Sequence, residues 1–164
     1  MAQYREVRCL SLVDAAYVAG LVDGEGTITL SRKHANDGRQ LVISICNTER
    51  PILSFVLDQI GAGKITSKRT AKAKHAPSFT YAVWNRQALA LLLQIEPFLR
   101  SYKRRRAALV RESYVRLTPR NGKYTPNLLA ARKRFEEHLL SLRANSAPET
   151  VDEPRVAESL TTAA

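Results

Sequence analysis

Tyr17-Val18-Ala19-Gly20-Leu21-Val22-Asp23-Gly24-Glu25-Gly26 decides how this chain folds. It begins as an apolar helix and ends in two carboxylates set among glycines. Ala15, Ala16, Ala19 and Gly20 recur at the three- and four-residue spacings of one helix face. Side chains this small let a second backbone approach closely. Such a face serves packing within one chain or a symmetric contact with the same helix of a second copy. Glu25 is expected just past the helix end. A carboxylate there suits Mg²⁺, which takes few carboxylates together with waters and substrate phosphate oxygens. Taken alone, an acidic glycine turn is equally a structural device.

The helix should start at Ser11-Leu12-Val13-Asp14, a capping box ahead of an apolar run, and end near Val22. Asp14 is then a helix-start residue. Thr27 to His34 alternates, with Ile28 and Leu30 opposed to Thr27, Thr29, Ser31 and Lys33. Asn36-Asp37-Gly38 signals a turn, and Gln40 to Asn47 alternates again, so the two strands form a hairpin. Thr48, as N-cap, and Pro51 open a second helix with Ile52, Phe55, Val56, Gln59 and Ile60 along one side. Gly61-Ala62-Gly63 ends it. Lys64 to Lys72 and Ser78 to Trp84 read as a second hairpin, with Ile65, Ser67, Phe79, Tyr81 and Val83 facing inward. Helices follow over Arg86–Ile95, Tyr102–Leu117 and Asn127–Arg143, the last with Leu128, Leu129, Phe135, Leu139 and Leu142 as its stripe. The order is α-β-β-α-β-β-α-α-α, an α+β arrangement.

Residues 1–143 read as one domain, and 144–164, lacking periodicity and aromatic residues, as a disordered acidic tail. The 164 residues carry a formal charge of +11, with a sequence pI near 10.1. Glu149, Asp152, Glu153 and Glu158 against Arg155 give the tail a net charge of −3, so residues 1–143 carry +14. That excess marks a polyanion partner, most plainly nucleic acid. No apolar run approaches the ~18 residues of a membrane span, and Met1 to Val7 lacks the apolar core of a signal peptide. Cys9 and Cys46, far apart in sequence, are expected to be reduced thiols of an intracellular protein. His34, His75 and His138 are too scattered for a zinc site.

Two surfaces follow. The outward strand faces carry Thr29, Ser31, Lys33, Gln40, Ser44, Lys64, Thr66, Lys68, Thr80 and Ala82. This mixture of donors, acceptors and cations suits base-edge reading in a major groove, although a solvated sheet face has a similar composition. Lys68-Arg69, Lys72, Lys74, Arg100 and Lys103-Arg104-Arg105-Arg106 are candidates for phosphate contacts. The last run sits at a helix start, where cations are unfavourable, so a use for it is expected.

Val18 to Gly26 resembles the signature of the LAGLIDADG homing endonucleases. Ile45-Cys46-Asn47-Thr48, Ile60-Gly61-Ala62-Gly63-Lys64-Ile65 and Pro97-Phe98-Leu99 through Lys103 also fall where that family has equivalents. The resemblance covers roughly residues 11–117. It implies an αββαββα core with a four-stranded antiparallel DNA-binding saddle, to which this chain adds C-terminal helices. A single motif implies a homodimer meeting through Ala16, Ala19, Gly20 and Asp23. The implied activity is metal-dependent double-strand cleavage of a long, pseudo-palindromic site with 3′ extensions. Mg²⁺ is the implied cofactor, with Mn²⁺ or Ca²⁺ substituting in binding.

Residue by residue, Glu25 matches the metal-ligating acid, in place of the aspartate of the family's name. The Gly24 carbonyl matches a second ligand position. Asn47 matches a residue that orders active-site water, and Lys103 a lysine near the scissile phosphate. One extra residue before Lys103 leaves Arg104 as a competing match, and Arg50 matches a further basic residue of the pocket less securely. The family also includes RNA-binding maturases of their host introns, and a catalytically silent DNA-binding protein is the third reading. Either an organelle (chloroplast or mitochondrion) or a prokaryotic cytoplasm fits.

Overall fold

A computed structural model describes residues 5–32, 34–35, 37–68, 77–120 and 122–145. The first helix, α1, spans Leu12–Glu25. Ser11 caps it, its Oγ accepting the Asp14 N–H at 3.1 Å and donating to Asp14 Oδ2 at 2.6 Å. The helix runs past the expected end at Val22 because Gly24 does not stop it. The Gly26 N–H still reaches the Val22 carbonyl, and there the backbone becomes extended. Position 26 requires glycine. A Cβ there would lie 2.6 Å from Val22 Cα and 3.0 Å from the Ser44 carbonyl oxygen, both backbone atoms that cannot yield.

The chain then pairs into one antiparallel sheet of β1 (Gly26–Ser31), β2 (Gln40–Asn47), β3 (Lys64–Lys68) and β4 (Ser78–Trp84). The strand order is β1-β2-β4-β3. The first strand stops three residues earlier than the alternation suggested. The Asp37 carboxylate accepts the His34 N–H at 3.0 Å, which turns the chain before it can pair further. Ile28, Leu30, Leu41, Ile43, Ile45, Tyr81 and Val83 are all buried on one face of the sheet. The helices cover that face: α1, α2 (Arg50–Ile60) and α3 (Asn85–Ile95) bring Val18, Val22, Leu53, Val56, Leu91 and Leu92 into the same core. The other face is left open. The Tyr81 hydroxyl, inside the core, donates to the Ala62 carbonyl at 2.8 Å, and burial pushes its pKa up.

Several local expectations shift. Thr48 is not the N-cap of α2; Glu49 holds that position without a side-chain cap bond, while Asn47 Oδ1 accepts the Glu49 N–H at 2.8 Å. The buried stripe of α2 is Leu53, Val56 and Ile60, and Phe55 is exposed against the edge of Tyr17, ring centroids 5.6 Å apart. Ser67 is exposed. A short 3₁₀ turn at Glu96–Phe98 leads to α4 (Lys103–Ser113), shorter than expected, and α5 spans Pro126–Ser141. Phe135 and Leu139 face the core from α5, but Leu129 is 53% exposed. Arg132, buried on α5, donates to the carbonyls of Leu117 at 3.1 Å and Arg39 at 2.5 Å and to Thr118 Oγ1, tying α5 to the first hairpin. Among the described residues no helix is long and apolar enough to cross a membrane.

The close approach at Gly26 gives a direct test. Gly26→Ala should destabilise the fold by about 1–3 kcal/mol, the usual cost of overpacking. A urea midpoint equal to that of the wild type would refute the account of the α1–β1 junction.

Candidate active site and nucleic-acid interface

The C-terminal end of α1 and the segment leading into α4 hold each other. Asp23 Oδ2 accepts the Arg100 N–H at 2.7 Å, and Asp23 Oδ1 accepts the Ser101 N–H at 3.3 Å and the Ser101 hydroxyl at 2.5 Å. Ser101 Oγ in turn accepts the Lys103 N–H at 3.2 Å. The Lys103 ammonium reaches back to donate to the carbonyls of Val22 and Asp23, both at 2.8 Å. A helix end leaves such carbonyls unpaired and slightly negative. No basic residue lies in the last turn of α1, so Lys103 supplies the cation from another helix. Burial lowers the Lys103 pKa, Arg106 adds to that effect, and Asp23 and Glu25 act against it.

The Asp23 carboxylate, expected at a contact with a second copy, is hydrogen-bonded within the chain to Arg100 and Ser101. Ala19 is likewise fully buried in the core. Ala16 and Gly20 are exposed on the opposite side of α1, together with Leu12, Val13 and Tyr17, which are 77%, 78% and 45% exposed.

Glu25 is the last residue of α1, not the first beyond it. It is exposed, and its carboxylate has no hydrogen-bond or ion-pair partner among the described residues. Gly24 beside it is open, with nothing within 4 Å of where a Cβ would stand. The register pairs Gly26 with Ile45, so Asn47 ends β2 at the same end of the sheet as Glu25. Arg50 opens α2 just beyond, exposed, its guanidinium 5.8 Å from the centroid of Phe79. Of the two competing cations, Lys103 lies at the tip of α1, whereas the Arg104 side chain is exposed. Arg106 is also drawn inside, donating to the carbonyls of Ile28 at 2.6 Å and Leu142 at 2.8 Å.

The open face of the sheet carries cross-strand rows. Ser31 stands opposite Gln40; Thr29 opposite Val42 and Trp84; Thr27 opposite Ser44, Ala82 and Lys64; Cys46 opposite Thr80 and Thr66. Eight of the ten expected face residues thus have a place: Thr29, Ser31, Gln40, Ser44, Lys64, Thr66, Thr80 and Ala82. Lys68 pairs with Ser78 in the backbone register. Lys33 lies outside the described residues, as do Arg69, Lys72, Lys74 and most of the acidic tail. Trp84 was missed. Its period-two place beyond Ala82 put it on this face, but the apolar residues around it drew attention inward.

Comparison with solved structures fits this geometry. The homing endonuclease I-CvuI, in complex with its target in the presence of Ca, superposes with a TM-score of 0.66 at 20% identity, covering 85% of this chain and 87% of its own. The archaeal intron-encoded homing endonuclease I-Vdi141I, complexed with DNA, gives 0.63 at 19% identity, with 84% and 88% covered. The LAGLIDADG meganuclease I-AabMI, bound to uncleaved DNA, gives 0.57 at 19% identity, and 81% of this chain spans only 46% of that one. The chain has the LAGLIDADG homing-endonuclease fold. No protein-family model matches the sequence, and no curated protein matches it closely enough to count as a relative. Within the LAGLIDADG fold, then, this chain is the size of I-CvuI and roughly half of I-AabMI.

Replacing Lys103 tests the clamp. Lys103→Met leaves two α1 carbonyls unpaired and should cost about 1–3 kcal/mol. The lowered pKa adds a sign. Between the folded value and the ordinary 10.5, the unfolded chain binds more protons, so the stability due to Lys103 rises with pH through that window. The urea-measured difference between wild type and Lys103→Met should therefore widen as pH approaches 10.5; a constant or narrowing difference would contradict the assignment.

Proposed function

We propose that the protein is a site-specific DNA endonuclease that works as a homodimer with Mg²⁺. The observation that carries this reading is the free Glu25 carboxylate, held by the Asp23–Lys103 clamp at one end of an open polar sheet. The donor set fits a hard cation. Glu25 and the Gly24 carbonyl stand at the negative end of a helix, where a cation is favoured. Among the described residues no cluster of three metal-binding side chains exists, and with Asp23 engaged in the clamp, Glu25 is the carboxylate this helix tip offers. Mg²⁺ commonly takes one or two carboxylates and fills its shell with water and phosphate oxygens. When bound, it supplies Lewis-acid polarisation of a phosphoryl oxygen and a water of lowered pKa.

The chain's own residues do the rest. The clamp fixes the direction of the α1 tip and so of Glu25. Asn47, whose Oδ1 is committed to the Glu49 N–H, keeps its amide nitrogen for ordering water. Arg50 and Arg104, exposed at the same end of the fold as this tip or just beyond the clamp, serve phosphate contacts. The polar rows of the sheet read base edges in the major groove, which a two-stranded ribbon or wider sheet can enter. A long pseudo-palindromic site with 3′ extensions is the substrate geometry this reading carries.

The exposed stripe of α1 supports a second copy as partner. Leu12, Val13 and Tyr17 are large apolar residues left in solvent, and Ala16, Gly20 and Gly24 lie between them. A groove of small residues flanked by apolar ones suits close, isologous helix packing. Gly20 has nothing within 4 Å of a Cβ position, so Gly20→Leu costs little inside one chain. Sedimentation should find the wild type dimeric and Gly20→Leu monomeric but folded. A Gly20→Leu protein that stays dimeric would remove α1 from the interface.

The catalytic reading rests on Glu25. With Mg²⁺ and DNA carrying the uninterrupted host gene, the wild type should cut at one site. Glu25→Gln should lose at least about a hundredfold in rate, as expected for a group that acts in the transition state, while still binding the site. Equal cutting by both proteins would rule out the metal role. If neither cuts DNA and both bind the intron RNA, the protein is a maturase.

A further inference from the structure

Val42 and Trp84 are the large apolar side chains in the rows of the open sheet face. Val42 points away from the core, yet it is only 8% exposed, because it stands in the same cross-strand row as Trp84 and Thr29. Trp84 is half-buried and shares a shallow depression with Ser31, Arg32, Gln40 and Lys64. The Lys64 ammonium stands over the indole, 5.2 Å from its centroid. A large apolar spot thus lies in a surface that, apart from Ala82 and Cys46, carries hydroxyls, an amide and cations. Burying a tryptophan here contributes nothing to the helix-covered core, which lies on the other side of the sheet.

Resting on the DNA-reading function proposed above, we propose that Val42 and Trp84 form a methyl-reading platform that selects thymine at one position in each half-site. Thymine is the base that presents a methyl group in the major groove, where apolar side chains read it. Stacking on an unpaired base is the usual alternative for an exposed aromatic ring. Lys64 argues against it by occupying the space above one face of the indole, which leaves the ring edge, beside the largely covered Val42, for contact. Gln40 and Lys64 flank the platform with hydrogen-bonding groups for the neighbouring bases. Val42 lies three residues along β2 from Ile45, the partner of Gly26. At strand rise this is roughly 10 Å, about three base pairs of B-DNA. The selected thymine therefore belongs outside the base pairs next to Glu25.

The test begins with full-length protein and Ca²⁺, selecting sites from a randomised duplex library. Each thymine of the enriched site is then replaced by deoxyuridine, which lacks only the methyl group. One thymine per half-site should prove sensitive, losing about fourfold in affinity, the worth of one buried methyl group. Trp84→Ala and, as a second variant that carries no methyl group, Val42→Ser should bind thymine and deoxyuridine sites equally. An enriched site with no sensitive thymine, or the same sensitivity in both variants, overturns the platform and leaves the endonuclease reading standing. Failure to enrich any site overturns both.

Discussion

The reciprocal clamp between α1 and the entry to α4 is the constraint on which the candidate site depends. Asp23 satisfies backbone N–H groups of Arg100 and Ser101, and Lys103 satisfies backbone carbonyls of Val22 and Asp23. Each charged side chain thus neutralises main-chain dipoles of the other segment. Hydrogen bonds to charged groups are stronger than neutral ones, and the two sets close a loop between residues some eighty positions apart in sequence. The consequence is directional. With the last turn of α1 pinned, Glu25 and Gly24 are left as the free groups at the tip. A freely hinged carboxylate would suit metal binding far less, because the ordering cost would fall on the binding event.

The second constraint is the one-sided sheet. Period-two alternation in β1, β2 and β4 assigns Ile28, Leu30, Leu41, Ile43, Ile45, Tyr81 and Val83 to a face that the helices cover. A slip of one residue in any strand would reverse its faces, so the core fixes which side chains remain outside. The residues that would read DNA are therefore positioned by the apolar ones that never touch it. Gly26 completes this arrangement by letting β1 leave α1 against the backbone of Ser44.

Much of this was legible from residues alone. The Ser11–Asp14 capping box, the Gly61 stop and the bounds of β2 and β4 came from local chemistry, and local chemistry governs them in the structure. What was not legible involves partners distant in sequence. Nothing near Gly24 says that α1 continues to Glu25, because Lys103 stabilises that end from another helix. The bonds from Arg100 and Ser101 to Asp23 were not legible either, because those partners lie beyond any local pattern. The α2 stripe was displaced because Phe55 outranks Leu53 in hydrophobic size, yet Leu53 has the spacing that meets the core with Val56 and Ile60. Thr48 failed as a cap because Asn47, one residue earlier, bonds the Glu49 N–H first.

The run Lys103-Arg104-Arg105-Arg106 joins these points. As sequence it is one block of four cations, all candidates for phosphate. On a helix the block divides by spacing. Lys103 and Arg106, three apart, turn inward, while Arg104 is exposed between them. The inward pair is accommodated because each finds carbonyl oxygens: Val22 and Asp23 for Lys103, Ile28 and Leu142 for Arg106. Burial still disfavours their charged forms and lowers both pKa values. A buried cation paired to main-chain dipoles releases no counterion from DNA, so the net charge of the chain overstates the number of phosphates it can neutralise. The same residues that make the chain look like a uniform polycation therefore spend part of that charge building the site.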